Sequence, residues 1–249
     1  MNIDFENKTV VVTGGTRGIG AAMVAAFLES GAKVYATGTD IQVLNELNES
    51  EKLKSKPIEY LYLDFTSGDS VNGCLEILSK IDRIDVLVNN AGVNKIDTID
   101  EVADEDWDWI NTVNLRGPFV VTKALAKKMK EQKSGKVVSV SSIFGVVSKE
   151  KRAAYSTTKW GLIGLTKAIA LDLAPYNILA NAVSPGFVDT ELTRRVLGDK
   201  GIDELVGKIP QQRLANCKEI AKTVLFLASE HNTYITGQNI IVDGGFTSA

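Results

Sequence analysis

The sequence predicts an α/β fold, a doubly wound parallel sheet of about seven strands with helices on both faces. Three observations carry that prediction. Apolar runs of four to six residues alternate with stretches of helical spacing along the whole chain, and such runs suit strands buried on both faces. A glycine-rich turn joins the first run to the first helical stretch. No Pro/Gly/Ser-rich linker and no internal repeat divides the 249 residues, so residues 1–249 read as a single domain, although about 150 residues per domain is the usual expectation.

The first strand is Lys8–Thr13, β-branched and ended by the glycines of Gly14–Gly20. Ile19, Met23, Ala26 and Phe27 then share one helical face up to Ser30, and Gly31 stands where a helix commonly closes. Strands Lys33–Thr37 and Ile58–Leu63 follow, then a helix from about Asp69 to Lys80 and strand Ile84–Asn89. A long helical stretch runs from Asp104 to about Lys130, with an interruption expected near Gly117–Pro118 because proline lacks an N–H. Strand Lys136–Val140, helix Arg152–Leu173, strand Ile178–Val183, a helix around Lys218–Ser229 and strand Asn239–Val242 complete the order.

Composition excludes several function classes. With 28 basic and 31 acidic residues the net charge is −3 and no basic tail exists, so a nucleic acid is not expected as a partner. Apolar runs such as Val10–Val12 and Ile240–Val242 are far shorter than the roughly 18 residues of a membrane span. The start, MNIDFENKTVVV, carries acids where a signal peptide has basic residues, and a cytoplasmic location is expected. Cys74 and Cys217 stand apart without other ligand-type neighbours, so neither a disulfide framework nor a metal site is expected. The one histidine, His231, lies in a polar SEHNT stretch and reads as a surface residue, which removes a Ser–His–Asp triad.

The turn Thr13-Gly14-Gly15-Thr16-Arg17-Gly18-Ile19-Gly20 follows a strand and opens a helix. Gly14 permits the tight turn, Gly18 lets a pyrophosphate approach the backbone, and Gly20 lets helix and strand pack closely. Free N–H groups at the helix start favour the phosphate charge. The spacing is TGxxxGxG, and with a strand at the chain start it resembles the short-chain dehydrogenase/reductase family. Other motifs of that family follow in order: Asn89-Asn90-Ala91-Gly92, Asn114, Ser142, Tyr155-Ser156-Thr157-Thr158-Lys159, Pro185-Gly186, Ile235-Thr236-Gly237 and Val242-Asp243-Gly244-Gly245. The resemblance covers essentially the whole chain and implies a Rossmann-type sheet. The segments GAKVYATGT and ITGQ are similar to the 3-oxoacyl-acyl carrier protein reductase branch, whereas sugar, polyol and steroid dehydrogenases share the other elements.

Tyr155 and Lys159 are four residues apart on an expected helix, so their side chains share a face. A phenol with a pKa of about 10 is a poor base at neutral pH, and a nearby ammonium lowers that value. Lys159 is therefore expected to be desolvated and beside the ring. The resemblance implies that Tyr155 exchanges a proton with a carbonyl oxygen, that Ser142 hydrogen-bonds the same oxygen, and that Lys159 holds the nicotinamide ribose. It also implies that Asn114 holds a water on the proton path. A non-catalytic dinucleotide sensor on this fold would be expected to lack Tyr155 or Lys159, and both are present.

The cofactor contacts implied are Gly14, Thr16, Arg17, Gly18, Ile19 and Gly20 in the turn; Thr39 after the second strand; Asp64 and Phe65 after the third; Asn90, Ala91 and Gly92 after the fourth; Tyr155 and Lys159; and Pro185, Gly186, Val188 and Thr190 beyond the sixth. Gly38 occupies the position where an NAD-preferring site has an acid, Thr39 is next, and Arg17 can pair with a phosphate. NADP(H) is thus favoured over NAD(H), with Asp40 opposing a phosphate if its loop folds back. Asn94, Phe144 and Phe187 are substrate candidates, with Ile143, Ser148, Gly186 and Val188 nearby in sequence. The expected substrate is a small carbonyl or alcohol compound, including an acyl carrier protein or CoA thioester, and Lys123, Lys127, Lys128 and Lys130 form a basic stretch for an acidic carrier. Lys149 and Arg152 precede Tyr155 and can meet an anionic group, but the KEKR stretch reads rather as a solvated helix start. The stretch Val188–Leu214 has Gly198, Gly201, Gly207 and Pro210 but no period, and reads as an excursion or lid over the substrate, residues 188–214. Family members form homotetramers through the long helices, and the same is expected here. Asn177-Ile178-Leu179-Ala180-Asn181 departs from the family's usual Gly-Ile-Arg-Val-Asn, and Trp160 stands where a smaller residue is common.

Overall fold

A computed structural model describes residues 3–249. Its core is one parallel sheet of seven strands in the order β3-β2-β1-β4-β5-β6-β7. The strands are β1 (Thr9–Val12), β2 (Lys33–Gly38), β3 (Ile58–Tyr62), β4 (Val86–Asn89), β5 (Gly135–Val140), β6 (Ile178–Pro185) and β7 (Asn239–Val242). The helices are α1 (Gly18–Glu29), α2 (Ile41–Leu53), α3 (Gly68–Ser79), α4 (Asp104–Asn111), α5 (Gly117–Gln132), α6 (Ala153–Leu173), α7 (Glu191–Val206) and α8 (Cys217–Ala228).

Strand periodicity of two divides the core between the sheet's faces. Val10 and Val12 join Met23 and Phe27 of α1 and Ile220 and Val224 of α8. Val11 faces the other way, with Cys74 and Leu78 of α3, Val121 and Leu125 of α5 and Ala170 and Leu173 of α6. Each valine so buried contributes roughly 1.5–3 kcal/mol, which fixes the register β1 shares with β2 and β4. Strand order reverses between β1 and β4, and the crevice beyond the strands' carboxyl ends at that point is where such sheets bind ligands.

Three expectations need correction. Helix α2 lies between β2 and β3, where none was expected: Asp40 caps it by accepting from Val43 N at 3.1 Å, and the Asn48 side chain bonds both backbone groups of Tyr60. Its sequence is polar enough that few apolar residues mark the period. The stretch 188–214 is not aperiodic throughout, since it contains α7, whose phase breaks at Gly198 (φ 61°, ψ 177°). The interruption expected near Gly117–Pro118 is a change of helix type rather than a break, and it lies just before Gly117. Pro118 sits in the first turn of α5, and α4 runs into α5 through a five-residue π-helical segment, Thr112–Arg116.

Candidate active site

The glycine turn is locked to the end of β4 by Thr13. Its Oγ1 accepts from Asn90 N at 3.0 Å and Ala91 N at 3.1 Å, while Asn90 Nδ2 donates to the carbonyls of Thr13 and Gly14 at 3.0 and 2.9 Å. Gly14 has φ +66°, and a Cβ there would lie 2.8 Å from Ala91 Cα. A Cβ on Gly20 would lie 2.0 Å from Gly14 O, so α1 starts against the turn itself. Gly18 also has a positive φ and nothing nearer than Thr190 Cγ2 at 3.8 Å from its missing Cβ, which leaves backbone open to a ligand. Thr190 accepts from Thr193 N and caps α7, so the start of α7 faces the glycine turn across the crevice.

Next along the edge, Ser142 follows β5 and Tyr155 lies in the first turn of α6. A short turn at Ile143–Gly145 packs against α6, where a Cβ on Gly145 would meet Lys159 O at 2.9 Å, and Ser141 Oγ donates to that oxygen at 3.0 Å. These ties bring the Ser142 side chain beside the half-buried Tyr155 phenol. Lys159 is 4% exposed, with Nζ 5.5 Å from the Tyr155 ring centroid and 3.0 Å from Val140 O, to which it donates. Asn114, in the π-helical segment, is fully buried. Its Oδ1 accepts from Val93 N at 2.8 Å, and its Nδ2 donates to Val93 O at 2.9 Å and Thr158 Oγ1 at 3.2 Å. Gly92 lies between them: its Cβ position is 3.4 Å from Lys159 Nζ and 3.5 Å from Asn114 Oδ1.

The electrostatics differ from expectation. Burial raises the Tyr155 pKa above its usual value, and the Ser142 hydrogen bond and the Arg152 charge only partly offset this. Lys159 does not supply the expected depression, because its amine turns to Val140 O below the ring and burial pushes its own pKa down to about 8. The phenol is therefore neutral at pH 7, the form that donates a proton. Asn114 likewise has both amide donors engaged by protein, so its side chain fixes the loop after β4.

A family model described as enoyl-(acyl carrier protein) reductase matches residues 14–247. The chain belongs to the short-chain dehydrogenase/reductase family. It is 39% identical to a 3-oxoacyl-(acyl-carrier-protein) reductase of Aquifex aeolicus over 98% of this chain and 99% of that one. It is 34% identical to a cyclopentanol dehydrogenase of Comamonas sp., covering 97% and 98% of the two chains. Among solved structures, a gluconate 5-dehydrogenase from Burkholderia cenocepacia in complex with NADP and tartrate superposes with a TM-score of 0.93 at 30% identity, covering 100% and 98%.

In this short-chain dehydrogenase/reductase the remaining expected residues divide between crevice and core. Arg17, Gly18 and Thr39 are exposed at its rim, Thr16 and Ile19 are half-buried, and Asp64 Oδ1 is held by Thr66 N and Oγ1 at 2.9 and 2.7 Å. Gly186 and Phe187 follow Pro185, the last residue of β6, with Gly186 N on Val242 O at 2.9 Å, and Asn94 is exposed beyond β4. Phe65, Ile143 and Val188 are buried, so the expected contacts of Phe65 and Val188 can only be made by their backbones, and Ile143 is core. Phe65 packs under Gly117, where a Cβ would be 2.9 Å from its ring. Ser148 bonds Ser156 at 2.8 Å. Phe144 packs edge-on to Tyr155 at 6.3 Å and to Phe187 at 6.2 Å. Of the four lysines expected to face a carrier, Lys128 donates to Ser79 O and Ile81 O, and Lys130 lies 4.7 Å from the Tyr176 ring centroid. Only Lys123 and Lys127 are left fully exposed on α5. His231 is exposed, as a surface residue would be.

Sequence reasoning missed Thr13 and Thr158, and weighed Arg152 as an anion contact only as the lesser of two readings. A threonine ending a strand carries no special signal, whereas Arg152 was visible but read as solvated.

Proposed function

We propose that the chain catalyses the reversible, nicotinamide-dependent reduction of a ketone to a secondary alcohol at the crevice between the glycine turn and α6. The observation that carries this reading is the Tyr155 phenol beside Ser142, with buried Lys159 beneath its ring. The open backbone at Gly18, the free N–H groups at the start of α1 and the exposed Gly92 above Lys159 suit a dinucleotide. When bound, the nicotinamide supplies the hydride that reduces the carbonyl carbon. Ser142 donates to the carbonyl oxygen where negative charge develops, and Tyr155 gives that oxygen its proton. Lys159, nearly dry and cationic below a pKa of about 8, stands beneath the ring where it would meet the ribose hydroxyls.

NADP(H) is the favoured cofactor. No acidic side chain stands at Gly38, whose Cβ position lies 2.7 Å from Thr16 Cγ2. Asp40 is occupied in capping α2, and Arg17 makes no ion pair among the described residues. In a fluorescence titration NADPH should bind tighter than NADH by about tenfold or more, the worth of one charge-assisted hydrogen bond, and Arg17→Ala should remove most of that preference. A clear preference for NADH would contradict the assignment.

Sequence identity favours a 3-oxoacyl thioester as the ketone, while a charged group in the pocket favours a small acid, as argued below. We further propose a homotetramer, supported by exposed Trp107 and Trp109 on α4, Phe119 on α5 and Trp160 and Leu171 on α6. A cytoplasmic setting is proposed too: the thiols of Cys74 and Cys217 are free, and no described helix is long and apolar enough to cross a membrane. In the same reading, the start of α7 and the 188–214 arm act as the cover of the crevice.

A further inference from the structure

Arg152 stands three residues before Tyr155, at the N-cap of α6. Its guanidinium lies over the Phe144 ring, 5.6 Å from the centroid, and Phe144 itself packs on Tyr155. Two of its nitrogens, Nε and Nη1, are buried and have no hydrogen-bond partner. No described carboxylate forms an ion pair with it: the nearby Glu150 is exposed and lies 3.6 Å from Lys149. The first turn of α6 contains no acidic residue, so the positive end of the helix adds to the same field.

A half-buried guanidinium with two dry nitrogens and no acceptors for them is costly, because it stays charged at any ordinary pH. The other buried side-chain atoms lacking partners are of a different kind. Asn89 Oδ1 and Ser139 Oγ are uncharged, and Glu51 is ion-paired to Lys56. Arg152 is thus an unpaired charge held beside the reacting phenol, on a floor formed by Phe144 and Phe187. An entering anionic oxygen group relieves that cost, and a planar carboxylate matches the planar guanidinium.

We propose that Arg152 is the specificity-determining residue of the substrate pocket and binds a carboxylate, so that the ketone is a small oxo acid and the alcohol a small hydroxy acid. This rests on the ketone-reductase reading above and narrows it. The carboxylate meets Arg152 while the carbonyl oxygen meets Tyr155 and Ser142. A thioester of the same acyl group has no charge at that place.

The test compares kcat/KM with NADPH for acetoacetate, 4-oxopentanoate, their methyl esters and acetoacetyl-CoA, in the wild type, Arg152→Met and Arg152→Lys. At least one acid should exceed its ester and the thioester by about tenfold or more. Arg152→Met should lower the acid's value by roughly 10²-fold and the ester's far less, as expected when one partner of a buried charge pair is removed, and Arg152→Lys should restore part of the difference. Malonate titrated calorimetrically into the protein gives a second readout: Tyr155→Phe should retain its binding and Arg152→Met should lose it. Preference for the thioester or esters in the wild type, or equal losses for acid and ester in Arg152→Met, overturns the proposal. Normal turnover by Tyr155→Phe would instead overturn the ketone-reductase reading, and the malonate titration would still judge Arg152. If the wild type reduces none of these compounds, malonate binding that is absent or unaffected by Arg152→Met overturns the proposal.

Discussion

Lys159 shows how much folding free energy a single functional side chain consumes. Its pKa falls from 10.5 to about 8 on burial, which at 1.36 kcal/mol per unit is about 3 kcal/mol of destabilisation while the amine is charged. One hydrogen bond to Val140 O returns only about 1 kcal/mol. Lys159→Met should therefore raise stability at pH 7 by roughly 2 kcal/mol while removing activity. The sign with pH follows from the depressed value: the unfolded chain binds the extra proton between pH 8 and 10.5, so wild-type stability gains on the variant across that window. Urea denaturation at pH 7 and pH 10.5 checks both, and a variant less stable at pH 7 would contradict them. Tyr155, Ser142 and Lys159 were legible in the sequence because helical spacing and motif order place them together. Arg152 was legible only as one of two readings, because KEKR next to a helix start looks the same whether its arginine reaches water or folds over Phe144.

At the scale of elements, turns and caps carry the geometry. Helix α5 ends at Lys133, exposed with φ 52°, a left-handed conformation that costs a residue with Cβ about 1 kcal/mol. Lys133→Gly should raise stability by about that amount without changing kcat, measured by thermal unfolding and steady-state assay. Asn177, also left-handed at φ 57°, stands where the family usually has glycine, and asparagine is the non-glycine residue that tolerates this best. The seven strands were legible because each is a short apolar run between turn residues. Helices α2 and α7 were not: polar α2 is held by Asp40 and Asn48, and the left-handed Gly198 splits the phase of α7. The π-helical segment showed only as the interruption expected near Gly117–Pro118, since one wide turn does not change the apolar pattern enough to give its type.

Across the molecule, one strand order gathers the glycine turn, the loop after β4, Ser142 and the start of α6 at the same sheet edge. The aromatic and apolar side chains exposed on α4, α5 and α6 lie outside that crevice and suit contacts between copies of the chain. Sedimentation should give a mass of four chains of 26.9 kDa, and charged replacements at Trp160 and Leu171, 54% and 79% exposed, should lower it. A monomer in dilute solution would contradict the tetramer. The central claim is that the Tyr155 phenol is the proton donor, and it is tested most directly by turnover of Tyr155→Phe alongside its affinity for NADPH. The expected result is a fall in kcat of roughly 10²–10⁴-fold with cofactor affinity unchanged; a kcat near that of the wild type on the same ketone would contradict it.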